Sequence, residues 1–261
     1  MMRKLTIVFF SPTGTTRKVV KAIADGTGLE YDSIDLTLPS SRSQVLEFGS
    51  GDLVIMGVPV YAGRVPSLLS ETIDSIKAEG ALMVPVVVYG NRHYDDSLLE
   101  LKDILEAKGA FLIAAAAFIG EHSYTAKVAG GRPDSEDLES AKRFGNGLIS
   151  MLNKEPDSPA KFDVPGNLPY KERKPSKPDT PITGDACIEC GICARNCPTG
   201  AIDFNDFSSA DPSLCIKCCS CIKKCPSDAK SFSDGSVVSF SGWLEANCSE
   251  RKQPELFTPV I

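Results

Sequence analysis

"KLTIVFFSPTGTTRKVVKAIADG" runs from Lys4 to Gly26. Residues 4–10 are an apolar run of strand length, and residues 15–26 carry a helical pattern. A short polar turn joins them. A helix that opens straight from such a turn leaves its first backbone N–H groups free and converging, which makes an anion site without any basic side chain. Ser11, Thr13, Thr15 and Thr16 add hydroxyls, and Gly14 permits the tight turn. No Gly-Lys-Ser/Thr follows, so this is not a Walker loop, and it is not G-x-G-x-x-G. Plain capping of the helix by Ser or Thr is the structural alternative.

The pattern continues outward. "DLVIMGVPV" (52–60), "MVPVVVYG" (83–90) and "FLIAAAAFIG" (111–120) are further apolar runs, and "EYDSIDL" (30–36) is a weaker strand nearer an edge. Continuous apolar runs suit strands buried on both faces of a parallel sheet. Between them lie helical patterns at 67–80, 96–109 and 134–153. Five strands alternating with helices over residues 1–155 predict a three-layer α/β sandwich.

Residues 156–182 follow, and seven of these 27 residues are proline, which reads as a linker or extended strap. Fully extended, it would reach roughly 80 Å at ~3.1 Å per residue. Residues 183–235 hold nine of the ten cysteines, and 236–261 form a tail with a short helical candidate, "SGWLEANCSERK", ended by Pro254.

Within the cysteine block, "CIECGICARNCPTGAIDF" (187–204) and "CIKCCSCIKKCPSDAKSF" (215–232) repeat C-x2-C-x2-C-x3-C-P at an offset of 28 residues. A [4Fe–4S] cube takes one thiolate per iron. Three closely spaced cysteines wrap one part of it, and in this motif the fourth ligates the other cluster. On that rule Cys187, Cys190, Cys193 and Cys225 hold one cluster, and Cys215, Cys218, Cys221 and Cys197 hold the second. Zinc sites prefer paired C-x2-C knuckles across a longer loop, which fits this doubled pattern poorly. Cys219 stands where the first copy has Gly191 and reads as a small packed residue; Cys248 reads as an ordinary helix residue.

Bulk properties agree. A net charge of -6 argues against nucleic acid as the main partner. The apolar run Leu5–Phe10 is too short for a signal-peptide core, and no stretch approaches a membrane span. The first 186 residues contain no cysteine, unlike a secreted disulfide scaffold. The expectation is a soluble, cytoplasmic protein.

The cysteine block resembles the bacterial two-cluster ferredoxins. S-P-T-G-T-T after the first strand resembles the FMN phosphate loop of flavodoxins, and the whole chain resembles the flavodoxin–ferredoxin fusion proteins of anaerobic prokaryotes. That resemblance implies a flavodoxin-like, doubly wound five-stranded parallel sheet of order 2-1-3-4-5, followed by a small α+β two-cluster ferredoxin domain. It implies FMN held by Ser11, Thr13, Gly14, Thr15 and Thr16, with Pro59, Tyr61, Ala62 and Gly63 on one flanking loop. Gly90, Asn91, Tyr94 and Asp95 lie on the other. Tyr61 and Tyr94 are the stacking candidates, and Asp95 with backbone near Gly90 and Asn91 faces the polar edge of the ring. His93 and His122 read as structural. Arg64 and Arg92 replace the acidic surroundings of short flavodoxins.

The function expected is electron transfer between FMN and two [4Fe–4S] clusters, joining one- and two-electron redox partner proteins. The alternative is an FMN-dependent reductase of a small molecule such as a quinone, fed by the clusters. A zinc-stabilised interaction module is the third possibility.

Overall fold

The computed structural model describes residues 3–152, 162–175, 177–233 and 235–259. The part of the strap at 153–161 and residue 176 lie outside the described residues.

Strands β1 (Lys4–Phe9), β2 (Tyr31–Asp35), β3 (Asp52–Pro59) and β4 (Leu82–Tyr89) pair in parallel. The fifth predicted strand is interrupted into β5 (Phe111–Leu112) and β6 (Ala115–Ile119). Both pair with β4, but Met83 faces Leu112 whereas Val86 faces Ala116, so one extra residue is inserted on the outer side. The insertion lies beside Pro85, which has no N–H to offer a ladder. The sheet order β2-β1-β3-β4-β6 is the flavodoxin-like order expected.

Helices cover both faces. On one side α1 (Thr15–Thr27) and α4 (Ser135–Leu152) bury Val19, Val20, Ile23, Phe144 and Leu148 against the sheet. They approach closely enough that a Cβ on Gly145 would lie 1.9 Å from the Ile23 carbonyl oxygen, and one on Gly26 2.1 Å from that of Lys142. On the other side α2 (Ser70–Asp74), shorter than its pattern implied, and α3 (Ser97–Ala107) bury Ile73, Leu98, Leu101 and Leu105. The strap joins this layer: Phe162 and Val164 are buried in the same core. Asp96 accepts hydrogen bonds from the backbone of Asn167 (2.9 Å) and Lys171 (2.6 Å), and Arg173 pairs with Glu100 at 2.9 Å. The described part of the proline-rich segment is therefore a docked strap.

The cysteine-rich module contains the antiparallel pair β7 (Ile182–Thr183) and β8 (Lys230–Ser231), with one-turn helices α5 (Ile192–Arg195) and α6 (Ser220–Lys223). The chain then returns to the large sheet. Helix α7 (Gly235–Asn247) buries Leu244 against Val128, and β9 (Glu255–Phe257) pairs antiparallel with β6 as an additional edge strand. Among the described residues no helix is long and apolar enough to cross a membrane.

Candidate cofactor sites

The phosphate-type loop is anchored from both sides. The Ser11 N–H donates to Thr37 Oγ1 at 2.9 Å, and Ser11 Oγ accepts from the Arg17 N–H at 3.0 Å in the first turn of α1. Ser11 thus offers its hydroxyl to one N–H of the first turn, while the N-cap position itself is Gly14, without a side-chain cap bond. Gly14 sits at φ +86°, where a side chain would be strained. Thr16 is 1 % exposed, and its hydroxyl is buried without a hydrogen-bond partner among the described residues. An unsatisfied buried hydroxyl is unfavourable, and beside the free N–H groups of α1 it fits an anionic oxygen.

The flanking loops meet at this end of the sheet. Pro59 ends β3, and Tyr61 to Arg64 close a tight turn with Ala62 and Gly63 at positive φ. A Cβ on Gly63 would strike Asp95, and one on Gly90 would strike the His122 ring at 2.5 Å. Tyr61 packs edge-on against Phe10 at 6.4 Å.

Tyr94 departs from the stacking position foreseen for it. Its ring is buried in the core, and its hydroxyl donates to Glu255 of the tail at 2.8 Å. The Asn91 amide donates to the carbonyls of Cys248 (2.6 Å) and Glu250 (2.8 Å). Asp95 pairs with Arg92 and, at 2.8 Å, with Lys171 of the strap. The physical reason is competition: tail and strap supply partners that a short flavodoxin-like chain lacks. His122 is kept neutral by burial, aided by the nearby cations Lys223 and Arg92, which lower its pKa to about 4.

The two cysteine copies have matching backbones. Glu189 and Lys217, Gly191 and Cys219, and Gly200 and Asp228 occupy the same left-handed positions at the 28-residue offset. Cys219 therefore takes, at a steric cost, a conformation that glycine adopts freely. In each copy the fourth sulfur accepts a backbone N–H at 3.2 Å, from Ala201 to Cys197 and from Ala229 to Cys225.

Cys187, Cys190, Cys193 and Cys225 line one recess, so the fourth cysteine of the second copy stands with the first three of the other. Cys215, Cys218 and Cys221 lie near enough to Cys197 for their charges to interact. Burial pushes the thiols of Cys218 and Cys221 up to about 12. A buried thiolate needs a cation beside it, and iron coordination deprotonates such thiols. Among the described residues no three metal-binding side chains converge on a single-ion site. Four sulfurs spread around a recess suit a cube with irons at four alternate corners better than a lone tetrahedral metal, whose sulfurs crowd at ~2.3 Å from one centre.

The cysteine-rich module is docked on the first domain, through the second copy and through Pro198 of the first. The Ser220 hydroxyl lies 2.9 Å from the Pro12 carbonyl in the phosphate-type loop and 3.0 Å from that of Asn196. Arg42 donates to the Pro198 carbonyl at 2.7 Å, and Lys223 pairs with Glu121. Ile216 packs on the core cluster that also contacts Tyr61. Burial raises the Tyr61 hydroxyl pKa, and the neighbouring Cys218 and Cys219 add to the effect. Sequence reasoning had not singled out Ser220. The repeat carried a signal, because Ser220 stands where the first copy has the apolar Ile192.

The model of a 4Fe–4S binding domain matches residues 181–203, which include the four cysteines of the first copy. No curated protein matches the chain. Among solved structures the chain is similar to a flavodoxin from the domain Archaea, with 14% identity, 57% of this chain and 99% of the other covered, and a TM-score of 0.43. It is similar to oxidised flavodoxin 2 from Bacillus cereus at 18% identity, covering 58% and 99%, with a TM-score of 0.43. It is also similar to a flavodoxin from Streptococcus pneumonia TIGR4 at 18% identity, covering 56% and 97%, with a TM-score of 0.40. The fold assignment rests on strand order rather than on these likenesses. The chain joins an N-terminal flavodoxin-like domain to a C-terminal 4Fe–4S binding domain with two cysteine clusters.

Proposed function

We propose that this protein is an electron carrier that relays electrons between FMN in the first domain and two [4Fe–4S] clusters in the second. One observation carries the reading: Ser220, between two cysteines of the second quartet, is hydrogen-bonded to Pro12 in the phosphate-type loop. The two cofactor-binding loops are thus joined by a direct contact, and tunnelling falls steeply with distance.

In this reading Thr16, Thr13 and the first N–H groups of α1 hold the phosphate. Ser11 and Gly14 shape the turn, and Tyr61 with Ala62 and Gly63 flanks the ring. Gly90, Asn91 and Asp95 form the far wall through their backbone. Cys187, Cys190, Cys193 and Cys225 hold the first cluster, and Cys215, Cys218, Cys221 and Cys197 the second. FMN takes one or two electrons and each cube takes one, so the pair matches one-electron to two-electron partners. The protein sets distance, exposure and potential. Tyr94 and His122 are poor proton donors: the first is committed to Glu255, and the second stays neutral. The second quartet faces the flavin loops. In this reading the first quartet lines the recess beside the exposed Ile188 and is the end of the relay open to a partner protein.

The test is anaerobic purification of the full chain with iron, sulfide, zinc and FMN counted. About eight irons, eight sulfides and one flavin are expected, at four irons per cube. A full iron count without flavin, after incubation with FMN, would sink the relay. Zinc in place of iron, with failed reconstitution, would sink the clusters too. Rapid quinone turnover without a partner protein would replace the carrier reading with a reductase.

A further inference from the structure

The two copies of the cysteine repeat agree in ligand spacing, in left-handed backbone positions and in N–H to sulfur bonds. At one buried position they differ in charge. Ile202 of the first copy corresponds to Lys230 of the second, at the same 28-residue offset, and each is only 3 % exposed. Ile202 packs in an apolar cluster with Cys197, Cys215 and Cys221. Lys230 lines the recess formed by Cys187, Cys190, Cys193 and Cys225.

The Lys230 ammonium donates to Thr183 Oγ1 and to the Phe207 carbonyl, both neutral. Among the described residues its hydrogen-bond partners are these two neutral oxygens, and it is in no carboxylate ion pair. Its charge reaches the Asp206 carboxylate, but its hydrogen bonds go to neutral groups, and a buried ammonium without a contacting anion is unfavourable, so the position favours an anion. The recess it faces is built to hold four thiolates. Its charge also reaches Cys221 of the other quartet, where it eases ionisation of the thiol.

We propose that Lys230 is the built-in counter-ion of the first cluster and holds that cluster at a higher reduction potential than the second. The inference rests on the reading that each quartet carries a [4Fe–4S] cluster. Each cluster takes up one electron, with no bond made or broken in the protein. The reduced cluster carries one more negative charge than the oxidised one, so a fixed cation stabilises the reduced form more. Ile202 brings no charge to the second cluster, and Lys230, which lines the recess of the first, is expected to act less on the second, which it reaches at Cys221. Two sites that the repeat alone would make nearly equivalent become unequal, and the first electron taken up by the cluster pair rests on the first cluster.

The experiment is a redox titration of the anaerobically purified full chain, followed by electron paramagnetic resonance and visible absorbance, with iron counted for every sample. The wild type is expected to show two separate one-electron cluster steps. Lys230→Ile, which restores the repeat, and Lys230→Met, which keeps the stem, are expected to lower the upper step. The size is about tenfold in its equilibrium constant, or ~59 mV for one electron. The two steps then converge. Lys230→Arg is expected to keep the separation, and Ile202→Lys to raise the lower step. Iron-replete Lys230→Ile with both steps unmoved, or both moved equally, would overturn the proposal. So would loss of iron from both charge-removing variants while Lys230→Arg retains it, since that would make Lys230 an assembly residue. A wild-type chain without iron would instead sink the cluster reading, and this proposal with it.

Discussion

The two cysteine copies have one spacing and two environments. The first copy surrounds a recess beside the exposed Ile188, while the second presses Ile216 and Ser220 against the flavodoxin-like domain. Ligand spacing, which is symmetric, specifies what is bound. The residues between the ligands, which are not symmetric, specify what each site touches. Glu189 against Lys217, Ile192 against Ser220 and Ile202 against Lys230 are therefore the informative pairs.

The harshest way to break the comparison is to remove a crossed ligand. Cys225 belongs to the second copy in sequence but lines the recess of the first. Cys225→Ser is expected to lose about four of eight irons. Adding Cys187→Ser should cost nothing further, whereas adding Cys215→Ser should remove the rest. Iron counts that pair Cys225 with Cys215 instead would undo the crossed assignment.

Ser220→Leu separates the copies next. It removes the hydrogen bond to the Pro12 carbonyl and forces a larger side chain into a site that is 1 % exposed. Overpacking of this kind costs roughly 1–3 kcal/mol. FMN affinity is expected to fall about tenfold or more while the cluster spectrum persists. Unchanged affinity in a flavin titration would show that the dock does not shape the flavin site.

Acid should loosen the dock on the second copy's side. His122 has a pKa of about 4 in the folded chain because it is buried, with Lys223 and Arg92 nearby. An unfolded histidine titrates near ~6.5. The unfolded state therefore binds more protons between these values, so stability is complete above the unfolded pKa and is lost as pH falls through that window. Between pH ~7 and ~5 the loss is on the order of 2 kcal/mol, or roughly 5 °C in apparent midpoint for a chain of this size. His122→Gln is expected to flatten that part of the profile, and a wild-type midpoint constant over the window would remove His122 as its cause.

The smallest effect belongs to the tail. Tyr94→Phe removes the hydroxyl that donates to Glu255. A loss of about 1 kcal/mol is expected, with iron content unchanged. Hydrogen exchange at β9 is the direct readout, and protection there equal to wild type would assign the anchoring of the tail instead to Asn91 and to Arg132, which donates to the Lys252 carbonyl at 2.9 Å.

Much of the molecule was legible from one dimension. The apolar runs at 4–10, 52–60 and 83–90 became β1, β3 and β4, since a strand buried on both faces has little choice but a continuous apolar sequence. The strand-to-helix turn at Ser11–Thr16 and the cysteine repeat were equally clear, because both depend on neighbours a few residues apart. The tail strand was not. Glu255–Phe257 is three residues long, too short to show a period, and it is a strand only because β6 offers it an edge. The docking of the strap was not legible either, because proline reports stiffness and leaves linker and docked strap equally open. Tyr94 looked like a ring for stacking, and nothing nearby in sequence revealed a partner 161 residues away.

Local spacing thus sets the chemistry this chain can perform: which turn offers N–H groups, which sulfurs are grouped, which runs must be buried. Folding alone decides adjacency. It crosses Cys225 over to the first quartet, seats Ser220 on Pro12, draws Asn91 and Tyr94 to the tail and leaves Lys230 facing the recess. Each of these depends on contacts between residues far apart along the chain, and such contacts are chosen by total burial and hydrogen-bond satisfaction over the whole molecule, which no short window of sequence contains.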